Sequence, residues 1–472
     1  MRARRIFRNA VFSLAGHGLG DICGFLFLVI FARAYGTDVL GEFWYAMAVG
    51  AVLGALITRG TGPVLLRDAS QQPEMIAKFV GAAASFQLLI AIVLLLLVVV
   101  LSTVITDTPR SRVILIIICV YQIGYVLASV FRTYFNAREE MQYNALLESG
   151  HKFVILFGGI GALFLFNDPA NVLLIYPAAA LAIYLAGYAL VTHRFTRPTL
   201  HIDWRLNWHW TVAALPVFAY GMLMVLANRS GVIALGSTTD ATTVGIFAAG
   251  DRLISAFGLP FVMLTGAVFP IMSKLAKTPA ELRSFVHTCL RVSTVAAIPL
   301  TGLVIMFREP IVALVFGESF QSSAAILGIL ALGIVWTAMN SLLSMLLVAT
   351  DHLWSLFRIF AVSLAILFIG IYMSVDAFGP VGLAWSVVAS KATASIGLLA
   401  CIRRDPLGVK AFRSVSGAAA MAITMALAFY AMSSFTVIAR DVLTIAAGVI
   451  ALVLFRGVES GDIRRLRQIV GK

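Results

Sequence analysis

Five apolar stretches of this 472-residue chain carry charged side chains far from their ends. The most heavily charged covers residues 244–270, VGIFAAGDRLISAFGLPFVMLTGAVFP, with Asp251 and Arg252 adjacent inside it. A charge at the centre of a bilayer costs roughly 2.5–3.5 kcal/mol on insertion scales, so such residues face a bundle interior or a wet cavity. Neighbouring helical residues point about 100° apart, so Asp251 and Arg252 each need another partner. Two readings fit: an interhelical ion pair that locks packing, or groups in a cavity that meet a ligand or an ion.

The other four stretches repeat the theme. Asp21 has His17 one turn earlier, a pairing suited to a proton or cation, although a histidine such as His17 alone is more often a hydrogen-bonded packing residue. Lys152 lies beside His151 and one turn from Glu148, with which it can pair at i,i+4. Arg229 follows Asn228, and Lys391 stands among Ser390, Thr393 and Ser395. Arg59 and Arg291 lie nearer the ends of their stretches, where snorkelling to the interface also explains them. Arg59, Lys152, Arg229, Arg252 and Lys391, with Asn228, form the candidate substrate-binding set, and Asp21 and Asp251 the candidate ion-coupling pair. The surplus of cations suits an anionic substrate.

Signatures of soluble enzymes are missing. The chain has no GxxxxGK[ST], HExxH, DxD or GxSxG motif, so no catalytic residue, metal or cofactor is expected and the chain reads as a non-enzyme. Gly16-x-Gly18-x-Gly20 follows no strand and lies in an apolar helix, where small residues let helices approach closely or bend. The four cysteines, Cys23, Cys119, Cys289 and Cys401, sit in apolar stretches as small buried thiols.

The elements that must position these residues are membrane spans. Hydrophobic residues make up 61% of the chain and charged residues 12%, about half the share of a soluble domain. At about 20 apolar residues per span, spans fall near 10–33, 42–62, 77–104, 112–135, 143–166, 171–192, 211–235, 243–271, 285–307, 322–348, 354–375, 379–402, 412–434 and 438–456. The first apolar run is too long for a cleaved signal peptide and reads as a retained span. With the N-terminus inside, 25 of the 35 lysines and arginines fall on the cytoplasmic side and five, Arg33, Arg110, Arg112, Arg308 and Arg440, on the other. That asymmetry supports an even span count with both termini cytoplasmic. It also accounts for the formal charge of +13 without nucleic acid.

The pattern divides the chain into an N-terminal lobe (1–193, spans 1–6), an interfacial cytoplasmic linker (194–210), a C-terminal lobe (211–402, spans 7–12) and a final segment (403–472) with spans 13 and 14 and a basic tail. Trp204, Trp208 and Trp210, among Arg194, Arg197 and Arg205, suit a segment on the headgroup layer. The lobes resemble each other. Ala34-x-Gly36 and Gly41-x-Phe43 match Ala234-x-Gly236 and Gly245-x-Phe247, and Asn136–Glu139 matches Val348–Asp351. Gly158 pairs with Gly370, and Pro169 with Pro380. Six spans per lobe make the repeat parallel, with its pseudo-twofold along the membrane normal and a substrate cavity between the lobes. Pro216, Pro260 and Pro299 fall inside spans 7, 8 and 9, as hinges or as ordinary membrane-helix prolines. The expected fold is thus all-α and polytopic, with about fourteen transmembrane helices.

Three stretches carry a family resemblance: 9–48 (NAVFSLAGHGLGDICGFLFLVIFARAYGTDVLGEFWYAMA), 228–277 (NRSGVIALGSTTDATTVGIFAAGDRLISAFGLPFVMLTGAVFPIMSKLAK), and LVFGESF from Leu314 with the span ending LLVAT at Thr350. Together they resemble the polysaccharide (O-antigen or exopolysaccharide type) flippases of the multidrug/oligosaccharidyl-lipid/polysaccharide exporter superfamily. The resemblance implies two six-helix lobes, alternating access, and movement of an undecaprenyl-diphosphate-linked oligosaccharide to the outer leaflet of the bacterial cytoplasmic membrane. It implies lipid-linked oligosaccharide, membrane lipid, a proton or sodium ion and polysaccharide polymerase machinery as partners, and it places Arg59, Arg229 and Arg252 in the central cavity. A multidrug or cation antiporter, or a lipid II flippase, is the alternative on the same fold. The chain lacks the arginine-rich segment after span 1 that marks lipid II flippases.

Overall fold

The computed structural model describes the backbone of residues 2–106, 108–194 and 201–404, with side chains from 18 to 402 apart from Pro73 and residues 194–200. Expected spans 13 and 14, the basic tail and the His17 side chain lie outside the described residues. Among those described there is no strand. The helices are α1 (Arg2–Thr58), α2 (Gly62–Gln71), α3 (Ile76–Ile105), α4 (Pro109–Ala137), α5 (Met141–Leu165), α6 (Pro169–Leu173), α7 (Ile175–Arg194), α8 (Trp204–Thr238), α9 (Ala241–Leu275), α10 (Pro279–Met306), α11 (Arg308–Val315), α12 (Ser323–Ala331), α13 (Gly333–Ala349) and α14 (Leu353–Arg404).

Nine of the described helical segments are long and apolar enough to cross a membrane, and α12 with α13, bent by 44° at Leu332, adds a tenth. Two of the nine run 54 and 50 residues. At 1.5 Å per residue each is about 75–80 Å long, more than twice the ~30 Å of a hydrocarbon core. Both break at a glycine with positive φ, Gly36 (81°) and Gly379 (54°), so each is two passes. An ordinary side chain is strained in that region, and glycine is not. Divided at these two glycines, the described long helices fall where spans 1–12 were expected. Pro216, Pro260 and Pro299 lie inside unbroken helices, and it is the two glycines that turn the chain.

The chain forms two compact units, one up to Gly245 and one from Ile246. α8 therefore belongs to the first unit. In that unit, helices pack where glycine removes a side chain. A Cβ on Gly159 would meet the Phe27 ring at 2.1 Å, and one on Gly124 would meet Ala180 Cβ at 2.9 Å. One core cluster joins Leu65 of α2, Phe79 of α3, Phe131, Tyr134 and Phe135 of α4, and Trp210 of α8. Trp204 and Trp208 are exposed, but Trp210 is buried. Its indole N–H donates to Asp68 at 2.9 Å and its ring meets Phe79 edge-on. Helical spacing turns Trp210 away from Trp208 and onto α2 and α3, while the exposed Trp204 ring meets Phe86 of α3 edge-on.

In the second unit, the two arms of α14 are joined by serines. The Ser363 and Ser390 hydroxyls lie 2.9 Å apart, each donating to the other residue's carbonyl, and Ser374 and Ser386 lie 3.1 Å apart. Gly370 and Gly382 clear the space, since a Cβ would meet Ser386 Oγ at 2.5 Å or the Ser374 carbonyl at 2.4 Å. Small residues and hydroxyls of this kind hold helices together in lipid.

The internal repeat reappears in backbone geometry. α4 ends with Glu139 at φ 59° and α13 with Asp351 at φ 61°. In each, the next amide donates back to the fifth residue before it, Glu140 to Phe135 and His352 to Leu347, both at 2.8 Å. This is the Schellman closure of a helix, and it falls at positions that the sequence repeat had paired.

Candidate functional site

The densest cluster of charge among the described residues lies inside the first unit, where α1, α4 and α5 meet. Gly20 creates it. A Cβ at Gly20 would stand 2.9 Å from Lys152 Cδ, so the bare backbone of α1 lets the lysine stem lie across it. The Lys152 ammonium then reaches Asp21, the next residue, at 2.6 Å. It also lies 3.5 Å from Glu148, one turn back on α5.

Glu148 is the centre of the cluster, with its side chain only 7% exposed. Arg132 of α4 forms an ion pair with its Oε2, and the Tyr125 hydroxyl donates to Oε1 at 3.1 Å. The Arg132 guanidinium also lies over the Tyr125 ring at 4.4 Å. A buried carboxylate is tolerated where opposite charge and hydrogen bonds replace water, and Glu148 has both. His151 completes the group. It is buried, stacked on Tyr121 with 5.6 Å between ring centroids, and neither ring nitrogen has a hydrogen-bond partner among the described residues. Two carboxylates therefore face two cations.

Tyr125 and Arg132 also line a cavity of ≈ 540 Å³ in the same unit. Its other walls include Gln87, Gln122, Ser129 and Thr133, with Thr58, Gly60 and Phe218. Arg59 sits between Thr58 and Gly60 at φ 51°, its guanidinium donating to the Thr211 hydroxyl at 2.5 Å and covering the Phe86 ring at 4.4 Å. Gly60 follows because a Cβ there would stand 2.8 Å from the Phe218 backbone nitrogen. Arg229 stands over the Trp44 ring at 6.0 Å, and Asn228 is exposed, with its amide donating to the Met224 carbonyl.

In the second unit, Lys391 passes Gly333, its Cδ 3.4 Å from where a Cβ there would stand. The Lys391 carbonyl accepts from Asn340, whose own side-chain carbonyl accepts from Ser395 at 2.7 Å. Arg252, the next residue after Asp251, is half-buried.

Sequence reasoning joined Lys152 to Glu148 and missed the other half of the cluster. Arg132 reads in sequence as one more positive charge near the inner end of span 4. Nothing local signals that it turns inward onto Glu148, sixteen residues later. A second missed group lies where α4 begins. Arg110 donates to Glu42 at 2.9 Å and to Asp38 at 2.8 Å, and Ser111 donates to Glu42 at 2.8 Å. These contacts tie the start of α4 to α1 just beyond its break at Gly36.

No curated protein sequence matches the chain. Among solved structures, the lipid II flippase MurJ in an inward closed conformation is similar with a TM-score of 0.77 at 14% identity, over 95% of this chain and 99% of that one. An inward-facing multidrug resistance MATE family transporter of the MOP superfamily gives 0.62 at 14% identity, over 85% and 96%. A Vibrio cholerae MATE transporter, VcmN in the bent form, gives 0.52 at 15% identity, over 86% and 98%. At these identities the likeness establishes a shared fold. The family model described as polysaccharide biosynthesis protein matches residues 6–276. That match covers more than half of the chain, and with it this multi-pass membrane protein belongs to the polysaccharide biosynthesis protein family.

Proposed function

We propose that the chain is a flippase that moves an undecaprenyl-diphosphate-linked oligosaccharide from the inner to the outer leaflet of the bacterial cytoplasmic membrane, for surface polysaccharide assembly. The match of residues 6–276 to the polysaccharide biosynthesis family carries this reading. The fold it shares with a lipid II flippase supports it. In this reading the protein performs no covalent step. It offers cations to the diphosphate and a polar path to the glycan, and the prenyl tail stays in lipid. Both termini are cytoplasmic, in keeping with the distribution of lysine and arginine.

Arg59, Arg229, Arg252 and Lys391, with Asn228, are the groups we assign to the anionic headgroup and glycan. A planar guanidinium binds a phosphate through two parallel hydrogen bonds, which suits the arginines to a diphosphate. Lys152 is already committed to Asp21 and Glu148, and it leaves the substrate set. Asp251 remains the candidate for coupling to an ion gradient, with a proton or sodium as the ion, and the polymerase that receives the glycan is the expected partner.

Lipid mass spectrometry of a deletion strain tests the function. Build-up of a prenyl-diphosphate oligosaccharide is the expected result. An unchanged lipid pool with new drug sensitivity would instead favour a multidrug antiporter; two of the fold relatives are named as multidrug resistance transporters. Rescue of a strain depleted of its lipid II flippase would favour that substrate. Within the protein, Arg252→Ala should abolish glycan export while the protein still folds and inserts, and normal surface polysaccharide from that variant would remove Arg252 from the site.

A further inference from the structure

We propose that the Lys152 ammonium is the resident cation of a two-carboxylate site made by Asp21 and Glu148, and that this site takes no external alkali cation while Lys152 is in place. Asp21 was the first unit's candidate for ion coupling by its position in an apolar helix. Geometry gives it a different partner. The ammonium is 2.6 Å from Asp21 Oδ1 and 3.5 Å from Glu148 Oε1, the place between two carboxylates that a small monovalent cation would occupy.

The site is built around the lysine. Gly20 leaves a bare strip of α1 under its methylenes, and any side chain there would meet Cδ at 2.9 Å or less. The remaining capacity of Glu148 is taken by Arg132 and Tyr125. The four charges sum to zero, so an added cation would bring unpaired positive charge into a region where charge is costly. A tethered ammonium also holds its place at an effective concentration in the millimolar range or above, so sodium must displace it rather than fill an empty site. Asp21 is the open side of the cluster, with its side chain 40% exposed.

Removing the ammonium should turn the cluster into a cation site. Lys152→Met keeps most of the apolar stem and leaves Asp21 and Glu148 with Arg132 alone, one negative charge in excess. The measurement is thermal unfolding of the purified full-length protein in detergent, with sodium chloride replaced stepwise by choline chloride at constant ionic strength. We expect Lys152→Met to acquire a saturable, sodium-dependent rise in Tm that the wild type lacks at this site. The rise should vanish in the double variant Asp21→Asn/Lys152→Met. A Lys152→Met protein whose Tm ignores sodium would overturn the proposal.

A wild-type arm keeps the test decisive if Lys152→Met does not fold. Any sodium response of the wild type should be the same in Asp21→Asn, since a cation bound elsewhere does not use Asp21. A wild-type response that Asp21→Asn abolishes would put external sodium between the carboxylates and overturn the proposal. The proposal narrows the ion-coupling part of the proposed function but rests on side-chain geometry. Binding is read from purified protein, so its failure and the failure of the flippase reading are separate results.

Discussion

Gly41 and Gly245 meet backbone to backbone within the first unit. A Cβ added to Gly41 would fall 1.8 Å from the Ala241 carbonyl oxygen, and one added to Gly245 would fall 1.9 Å from that of Thr37. The contact is reciprocal, and the sequence repeat pairs these same two glycines. Neither clash involves a flexible side chain, so no rotamer change relieves it. Gly41→Ala and Gly245→Ala should each force the two backbones apart, at a cost at or above the ~1–3 kcal/mol of ordinary overpacking. Folded yield and Tm are the readouts. Gly18→Ala, where a Cβ meets nothing within 4 Å, should leave both unchanged.

Breaking the Arg132–Glu148 pair should be far worse than replacing it. Arg132→Met leaves Glu148 buried beside Tyr125 and Lys152 with half its compensation, and Glu148→Met strands Arg132 in the same way. Each single change should cost about 3–5 kcal/mol, and the double change much less than the two together. A double-mutant cycle on unfolding in detergent measures the difference. Additive losses would show that the two side chains do not act as a pair.

The tryptophans of α8 should separate cleanly. Trp210→Ala removes a fully buried indole together with its bond to Asp68, and about 3–5 kcal/mol is expected. Trp208, 71% exposed, should tolerate alanine within about 0.5 kcal/mol in detergent. Trp210→Phe retains most of the packing and isolates the hydrogen bond, at about 1–3 kcal/mol.

Arg110 serves two carboxylates of unequal weight. The Glu42 side chain is 4% exposed and that of Asp38 47%. Asp38→Asn should therefore change stability by no more than about 1 kcal/mol. Arg110→Gln takes the positive charge away from the buried Glu42, and should cost several times as much. Adding Glu42→Gln should recover part of that loss in a Tm comparison of the three variants.

Hydropathy made the passes legible because a bilayer imposes one length on every span. It also located the unusual side chains, since a charge in an apolar run is conspicuous. What it could not give was partnership across the unit. Lys152 with Glu148 is an i,i+4 relation written on one helix, whereas Lys152 with Asp21 joins positions 131 residues apart. Arg132 and Arg110 were hidden for a further reason: near a span end a cation looks the same whether it turns to solvent or inward. Trp210 shows the same ambiguity for an aromatic residue. The break at Gly36 was legible as a short loop between two spans, but the continuity of α8, α9 and α10 through their prolines was not. Proline marks a missing amide and does not say whether its neighbours absorb the loss.

The serine-linked arms of α14 have a consequence for how the second unit is assembled. Ser374 and Ser386 are twelve residues apart in sequence, and Ser363 and Ser390 are twenty-seven. Contacts this local close with little loss of chain entropy. In hydrocarbon no water competes for the hydroxyls. The hairpin can therefore be complete soon after its second arm leaves the ribosome, before it meets the rest of its unit. It would enter the bundle as a finished part, and its order of synthesis, late in the described chain, need not delay the fold.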